Sequence, residues 1–243
     1  MPAESPSTTV AVFVGTRADL GPLSPVIEAL AGADDLRLRV LTGVMYAADD
    51  LARALPPSAS VEAWREVVVP LAEPMAEVTV DAQLEQGAVL AGSAGRALRD
   101  EAVDVLVVLG DRWELLYVVP PAVLLGVPVV HLHGGEVTEG ALDERVRHAI
   151  TKLADQHCVA SQDAAARLRQ LGEEPDRIHV TGAPGLDRLA LIEPPTDEVL
   201  AGILGDEAVE RPLALFTYHP PTAQPGAPVG QWARLAGRSA GGR

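Results

Sequence analysis

The chain has 243 residues, of which 48% are hydrophobic and 3% aromatic, and its formal net charge is -15. This length predicts one large domain or two smaller ones, with a core built mainly from aliphatic side chains. The negative charge argues against nucleic acid or an anionic membrane as the main partner. The single cysteine, Cys158, excludes an internal disulfide and fits a reducing compartment. Because no stretch reaches the roughly 20 apolar residues of a membrane span, we expect a soluble, cytoplasmic protein.

Apolar runs alternate with helical patterns along most of the chain. β-branched and aliphatic runs of this kind are typical of parallel strands that are buried on both faces. The predicted strands cover residues 9–14, 36–42, a short piece within 60–69, 104–109, 127–132, 157–160 and 178–181. The predicted helices cover residues 23–30, 83–98, 113–125, 143–154 and 164–171. Pro120 and Pro121 are expected to kink or restart the third of these helices.

This alternation predicts the fold class and the domain organisation. Strands and helices at this spacing indicate an α/β fold with a doubly wound, parallel, Rossmann-like sheet. We expect a disordered lead over residues 1–8, which lacks signal-peptide features, and a Rossmann-like domain over 9–190. Residues 191–219, with a helix at 197–204 and a strand at 213–218, predict the start of an incomplete second domain. The Pro-, Gly- and Arg-containing residues 220–243 predict a disordered tail.

Polar residues follow several of the predicted strands. Because right-handed crossovers place every loop after a strand at one edge of the sheet, this edge should collect Arg17, Asp111, His133, Glu136 and the turn 182–185. Ligands of open α/β sheets bind at this edge. The sequence therefore predicts a ligand site there.

Two loops at this edge have alternative interpretations. The segment Gly15-Thr16-Arg17 precedes a helix, so it either binds an anion through its backbone amides and guanidinium or forms a tight turn with a solvated arginine. It lacks the GxGxxG pattern of a dinucleotide site. Asp111 follows the most apolar strand and is either a ligand or catalytic group, or a structural partner of Arg112 or of a loop amide.

The segment after residue 130 carries the densest group of ionisable residues. His133 and Glu136 can form an acid/base pair, although Glu136 can also cap the next turn. Asp143 and Arg147 have the spacing of an ordinary helix salt bridge. The HxH pair His131 and His133 is weak support for a metal, so we predict no metal site. Cys158 is predicted to be a core residue without an activated thiolate.

Four segments together resemble one enzyme family. They are GTRADLGPLSPVIEAL at 15–30, VLGDRWE at 108–114, HLHGGEVTEGALDERVRHAITKLADQH at 131–157 and VTGAPGLD at 180–187. They resemble the hydrolysing UDP-N-acetylglucosamine 2-epimerases of sialic-acid-type sugar biosynthesis, over most of residues 9–219. The resemblance implies the first half of a GT-B-like two-domain fold with a UDP-sugar in the cleft. It also implies conversion of UDP-N-acetylglucosamine and water to UDP and N-acetylmannosamine, by elimination of UDP to a glucal and hydration, without a cofactor.

The resemblance also suggests roles for individual residues. It places Gly15 and Arg17 near the diphosphate, and His219 of the TYHP segment at the nucleotide. Asp111 and Glu136 become acid/base candidates at C2. The remaining catalytic candidates are His133, at a position where relatives carry either His or Glu, and Asp143 and Arg147, which match a carboxylate–arginine pair facing the cleft.

The chain departs from the family pattern after His219. The Ser/Gly-rich turn and the carboxylate that hold uridine and ribose in the family have no counterpart there. We therefore expect weak UDP-sugar binding and impaired turnover by this chain. A homo-oligomer or a separate subunit is the possible partner that would complete the cleft. A non-catalytic remnant that binds a partner and a nucleotide-sugar glycosyltransferase are the alternatives.

Overall fold

A computed structural model describes residues 8–187, 189 and 193–205. The chain divides into two compact units, the first formed by residues 1–139 and 143–190 and the second by 140–142 and 191–243. In the second unit the structure describes the helix Asp197–Leu204, which Thr196 caps by accepting a hydrogen bond from the Val199 amide. This helix was predicted at the same residues. The predicted strand 213–218 and His219 lie outside the described residues, and the predicted domain boundaries stay a prediction.

The first unit is a seven-stranded parallel sheet in the order β3-β2-β1-β4-β5-β6-β7. The strands are β1 Thr8–Phe13, β2 Leu36–Thr42, β3 Val68–Pro70, β4 Val105–Leu109, β5 Val129–Leu132, β6 Gln156–Val159 and β7 Ile178–Val180. The helices are α1 Arg17–Ala31, α2 Ala48–Ala54, α3 Val61–Val67, α4 Val80–Asp100, α5 Leu115–Leu125, α6 Leu142–Leu153, α7 Gln162–Gln170 and α8 Pro184–Asp187. The predicted doubly wound α/β fold is confirmed.

Two hydrophobic clusters cover the two faces of this sheet. Successive β1 residues alternate between them: Val10 and Val12 belong to one cluster, and Ala11 and Phe13 to the other. Both faces of β1 are therefore buried, as the continuous apolar run predicted. The strand order reverses between β1 and β4, because α4 carries the chain from β3 at one edge back to β4 beside β1. This reversal opens a crevice at the carboxyl ends of β1 and β4.

The structure refines three local predictions. Helix α1 begins at Arg17, six residues earlier than its apolar pattern suggested, because the Asp19 carboxylate caps the amides of Gly15 and Thr16. The short strand predicted within 60–69 is present as β3, which begins at Val68, and the residues before it form the helix α3, which Ser60 caps. Helix α5 runs through Pro120 and Pro121 without restarting, and ends at Gly126 in the left-handed conformation.

None of the helices that the structure describes combines the length and the apolar character that crossing a membrane requires.

Candidate functional site

A cavity of about 260 Å³ lies where the strand order reverses. It is lined from α1 by Ala18, Asp19 and Pro22, from the end of β4 by residues 109–112, from the loop after β5 by His133 and Glu136, and from α6 by Asp143 and Arg147. The structure thus brings together all five predicted catalytic residues. Six of its eleven lining residues are arginines, aspartates or glutamates, which favours polar over purely apolar ligands.

The two predicted substrate-binding residues of the first loop do not line this cavity. Arg17 is exposed at the start of α1, and the amides of Gly15 and Thr16 donate to Asp19 Oδ2 at 3.1 and 2.7 Å. These are the backbone groups that were expected to bind an anion. The chain's own carboxylate occupies these amides in this structure, and the predicted contact of Gly15 and Arg17 with the diphosphate stays a prediction. No residue of the turn 182–185 lines the cavity, although Gly185 packs against Pro22 of its wall.

Arg147 organises the wall that follows β5. Its guanidinium is buried, with 3% of the side chain exposed, and it binds the Asp111 carboxylate through Nη2. Its Nη1 donates to the Glu136 carbonyl and to Glu144 Oε2, each at 2.7 Å, and its Nη2 also donates to Thr138 Oγ1 at 2.9 Å. Both terminal nitrogens are therefore engaged by the protein, and Arg147 holds the loop and Asp111 in place.

These contacts correct two expected pairings. Arg147 forms its ion pairs with Asp111 and Glu144, and Asp143 is not among its partners in the described part of the chain. Asp111 pairs with Arg147 and not with Arg112, whose Nε donates to Glu114 Oε1 at 2.9 Å. Burial and the nearby Asp111 charge raise the pKa of Asp143 above that of an ordinary aspartate.

His133 and Glu136 form the hydrogen bond that the sequence suggested. His133 Nδ1 lies 2.6 Å from Glu136 Oε1, and the ring Nε2 is buried without a hydrogen-bond partner among the described residues. Since a carboxylate can only accept, Nδ1 donates in this hydrogen bond, and Nε2 is the ring nitrogen that is left to accept a proton. His133 has a φ of 61°, a strained left-handed conformation that is concentrated at functional sites.

The two glycines after His133 allow the loop to pack closely. A Cβ on Gly134 would approach the His131 ring to 3.2 Å, and a Cβ on Gly135 would overlap the Ala164 carbonyl. Gly135 also has a φ of 77°, which side chains rarely adopt. The Gly-Gly pair therefore lets the loop between His133 and Glu136 pack closely between His131 and α7.

His131 is a structural residue. It is fully buried, its Nε2 donates to the Gly110 carbonyl at 2.7 Å, and its Nδ1 lies 3.3 Å from Thr151 Oγ1. Burial lowers the pKa of His131 to about 4, so the ring is neutral at ordinary pH. Although His131 and His133 form an HxH pattern, they take separate roles. Among the described residues, no group of three His, Cys, Asp or Glu side chains is placed to hold a metal ion.

Three residues of the site were missed as functional candidates. Asp19 caps α1 from within the cavity wall, Arg112 presents its guanidinium there, and Glu114 lies buried behind Arg112. A usable signal was present for the last two. Glu114 is a carboxylate at the start of the most apolar helix, two residues after an arginine, where a charge requires a partner.

Comparison with known proteins places these features in a family. A sequence profile of the UDP-N-acetylglucosamine 2-epimerase family matches residues 75–238. The chain belongs to this family. It is 32% identical over 213 residues to the UDP-N,N'-diacetylbacillosamine 2-epimerase (hydrolyzing) of Legionella pneumophila, covering 85% of this chain and 54% of that protein. It is 31% identical over 216 residues to the UDP-N-acetylglucosamine 2-epimerase of Neisseria meningitidis, covering 87% of this chain and 54% of that protein.

A solved structure shows the same fold. The UDP-GlcNAc 2-epimerase from Neisseria meningitidis bound to UDP-GlcNAc superposes with a TM-score of 0.61 at 19% identity, covering 82% of this chain and 52% of that chain. The Rossmann-like sheet is thus that of GT-B-like epimerases. The chain spans about half the length of the relatives that it matches.

Proposed function

We propose that the cavity takes part in a hydrolysing 2-epimerisation of a UDP-2-acetamido sugar, giving UDP and the free 2-epimer. The His133–Glu136 pair carries this proposal, because it supplies an oriented base in a cavity at the strand reversal. Family membership and the names of the relatives support the same reaction class.

The reaction requires two proton transfers at one carbon. In the elimination, a base removes the C2 proton, the C1=C2 double bond forms, and the bond between C1 and the diphosphate oxygen breaks with its electron pair leaving on UDP. In the hydration, an acid protonates C2 on the other face, water adds its oxygen to C1 and the water loses a proton. The net reaction consumes one water and inverts C2.

His133 is suited to the first transfer. Glu136 fixes the proton on Nδ1 and stabilises the imidazolium that forms when Nε2 accepts the C2 proton. General-base catalysis of this kind typically contributes a rate factor of about 10² to 10⁴.

Asp143 is suited to the second transfer. Burial and the Asp111 charge raise its pKa, so Asp143 keeps its proton to higher pH than an ordinary aspartate. If it donates that proton to C2, activity falls as the pH rises through its raised pKa. An Asp143→Asn variant should lose the hydration step while retaining slow release of UDP and of the glucal.

Arg112 is suited to the leaving diphosphate. The guanidinium groups of Arg112 and Arg147 line the cavity. Both terminal nitrogens of Arg147 already donate to protein oxygens. Within the described part of the chain, Arg112 uses only its Nε, so its terminal amino groups face a ligand without competition. Two parallel N–H donors match the geometry of a phosphate group.

Product analysis in D2O tests the proposed function. The chain is incubated with UDP-N-acetylglucosamine and, separately, with UDP-N,N'-diacetylbacillosamine, and the sugar is examined by proton NMR. We expect UDP and a free 2-epimer with deuterium at C2, and a His133→Gln variant should lose at least a hundredfold in rate. Product identity is the criterion for the reaction class, and the rate of the variant relative to wild type is the criterion for the role of His133.

The other outcomes separate the alternatives. Release of UDP with the sugar still protonated at C2 excludes an epimerase. UDP binding without any bond cleavage supports the partner-binding alternative, and transfer of the sugar to an added acceptor supports a glycosyltransferase. An Arg65→Gln variant, in which an exposed arginine of α3 is changed, is the matched control for surface charge.

A further inference from the structure

Glu114 is a buried carboxylate directly behind the cavity wall. Glu114 as a whole is fully buried, and its side chain is 1% exposed. Oε1 accepts from Arg112 Nε at 2.9 Å, and Oε2 is buried without a hydrogen-bond partner among the residues described. A carboxylate with one partner is costly to bury, because its lost hydration is only partly replaced. Burial accordingly raises the pKa of Glu114. Packing alone does not explain a charged residue at this position.

The end of β1 is shaped to accept this carboxylate. A Cβ built on Gly15 would lie 2.6 Å from Glu114 Oε1 and 3.2 Å from the Phe13 ring. Any larger residue would have to displace the carboxylate. Gly15 therefore leaves room for Glu114, and this is a different role from the substrate contact that its position in the sequence suggested.

The contact between Glu114 and Arg112 determines how the guanidinium is oriented. A guanidinium is planar, so a hydrogen bond to Nε on one edge fixes the plane in which the two terminal amino groups lie. Glu114 is held by its own backbone, whose carbonyl accepts from the Tyr117 and Val118 amides at the start of α5. A buried carboxylate on an anchored backbone thus holds an arginine whose side chain is 40% exposed and would otherwise sample many rotamers.

We propose that Glu114 is a positioning residue that holds Arg112 with its terminal amino groups toward the diphosphate of the UDP-sugar. The inference deepens the proposed function and rests on it for the identity of the ligand. Arg112 makes the contact, and Glu114 acts only through Arg112.

A double-mutant cycle with inorganic pyrophosphate as the probe tests the coupling. Binding to the full chain is measured by calorimetry for wild type, Arg112→Gln, Glu114→Ala and the double variant. We expect Arg112→Gln to weaken binding about tenfold to a hundredfold, as for loss of a charged hydrogen bond. Glu114→Ala should weaken it about tenfold. The double variant should match Arg112→Gln to within about twofold, because Glu114 has no effect once Arg112 is absent.

An NMR measurement tests the positioning without reference to the substrate. The Nε–H signal of Arg112, assigned by its loss in Arg112→Gln, should exchange slowly with water in wild type. It should remain in Glu114→Gln, which keeps an acceptor at Oε1, and broaden or vanish in Glu114→Ala. The pair Arg39 and Glu101, 2.6 Å apart and outside the cavity, is the matched control. Arg39→Gln and Glu101→Gln should leave pyrophosphate binding unchanged.

The outcomes distinguish this inference from the proposed function. Additive effects in the cycle, an unchanged Nε–H signal in Glu114→Ala, or no pyrophosphate binding by wild type each overturn the inference. Coupled effects on pyrophosphate binding together with no C2 exchange in any UDP-sugar support the inference and refute the proposed reaction.

Discussion

The buried His131 should make the stability of the chain depend on pH in a defined window. The folded-state pKa of His131 is about 4, because burial disfavours the charged ring, and the ordinary value is 6.5. Above pH 6.5 the ring is neutral in both states, so its full contribution to stability is present. Below pH 6.5 only the unfolded chain takes up the proton, until the folded ring also binds it near pH 4. The free energy of unfolding should therefore fall as the pH falls from 6.5 to 4.

The magnitude follows from the size of the shift. A difference of one pKa unit corresponds to about 1.4 kcal/mol, so the shift of His131 from 6.5 to about 4 corresponds to roughly 3 kcal/mol at the acid end of the window. This loss is large compared with a total stability of about 5 to 15 kcal/mol for a typical domain. The buried His157, whose pKa is also lowered by burial, should add to the loss in the same direction.

Urea denaturation at several pH values between 7.5 and 4 measures the effect, with the fluorescence of the buried Trp64 as one probe. His131→Asn should be less stable than wild type at pH 7.5, because one side-chain hydrogen bond is lost or weakened. Its stability should fall with pH by roughly 3 kcal/mol less than that of wild type. The exposed His179, changed to Asn, is the control and should keep the wild-type slope. An equal slope in His131→Asn and wild type would refute the assignment of a buried neutral ring.

Three further predictions concern the loop, the arginine network and the cysteine. Gly135→Ala should lower the free energy of unfolding by about 2 to 4 kcal/mol in urea, because its Cβ would overlap the Ala164 carbonyl at a positive φ; an unchanged midpoint would contradict the packing described. Arg147→Lys should retain the fold in circular dichroism but lower turnover at least tenfold, since one ammonium cannot hold Asp111 and the loop together. Wild-type turnover in this variant would show that the two terminal nitrogens of the guanidinium are not both needed. Burial raises the pKa of the Cys158 thiol, so it should react with a disulfide reagent at pH 8 at least tenfold more slowly in the folded chain than in urea, and equal rates would place it at the surface.

The fold was predictable because helices cover both faces of a parallel sheet. Its strands are therefore apolar at successive positions and appear in the sequence as short, continuous apolar runs. The run at 9–14 is shifted by one residue from the observed β1, and the run at 104–109 begins one residue before the observed β4. The start of α1 was not predictable from apolar spacing, since its first turn is fixed by the Asp19 carboxylate and contributes few apolar residues. Helix α3 was missed because only Trp64 of its residues is buried, so it lacks an apolar stripe.

The members of the site were predictable, but their pairings were not. Topology alone placed Asp111 and His133 at the same sheet edge, because each follows a parallel strand. Which carboxylate meets which arginine depends on side-chain directions that sequence spacing does not determine. Asp143 has the helical spacing for Arg147, yet the guanidinium extends across the sheet edge to Asp111. Long-range contacts of this kind arise only when the sheet is assembled.

The distribution of charge in the cavity explains how an acidic chain can receive an anion. Asp19 is neutralised by backbone amides and a hydroxyl, and Asp111 by Arg147, so neither carboxylate presents an uncompensated charge to a ligand. The raised pKa of Asp143 allows it to be protonated at higher pH than usual, which further reduces the local negative charge. Arg112 is itself paired with Glu114 through Nε, but its two terminal amino groups have no partner among the described residues. The net charge of -15 therefore sets the long-range field, whereas these short-range pairs reduce the negative charge that a diphosphate meets inside the cavity.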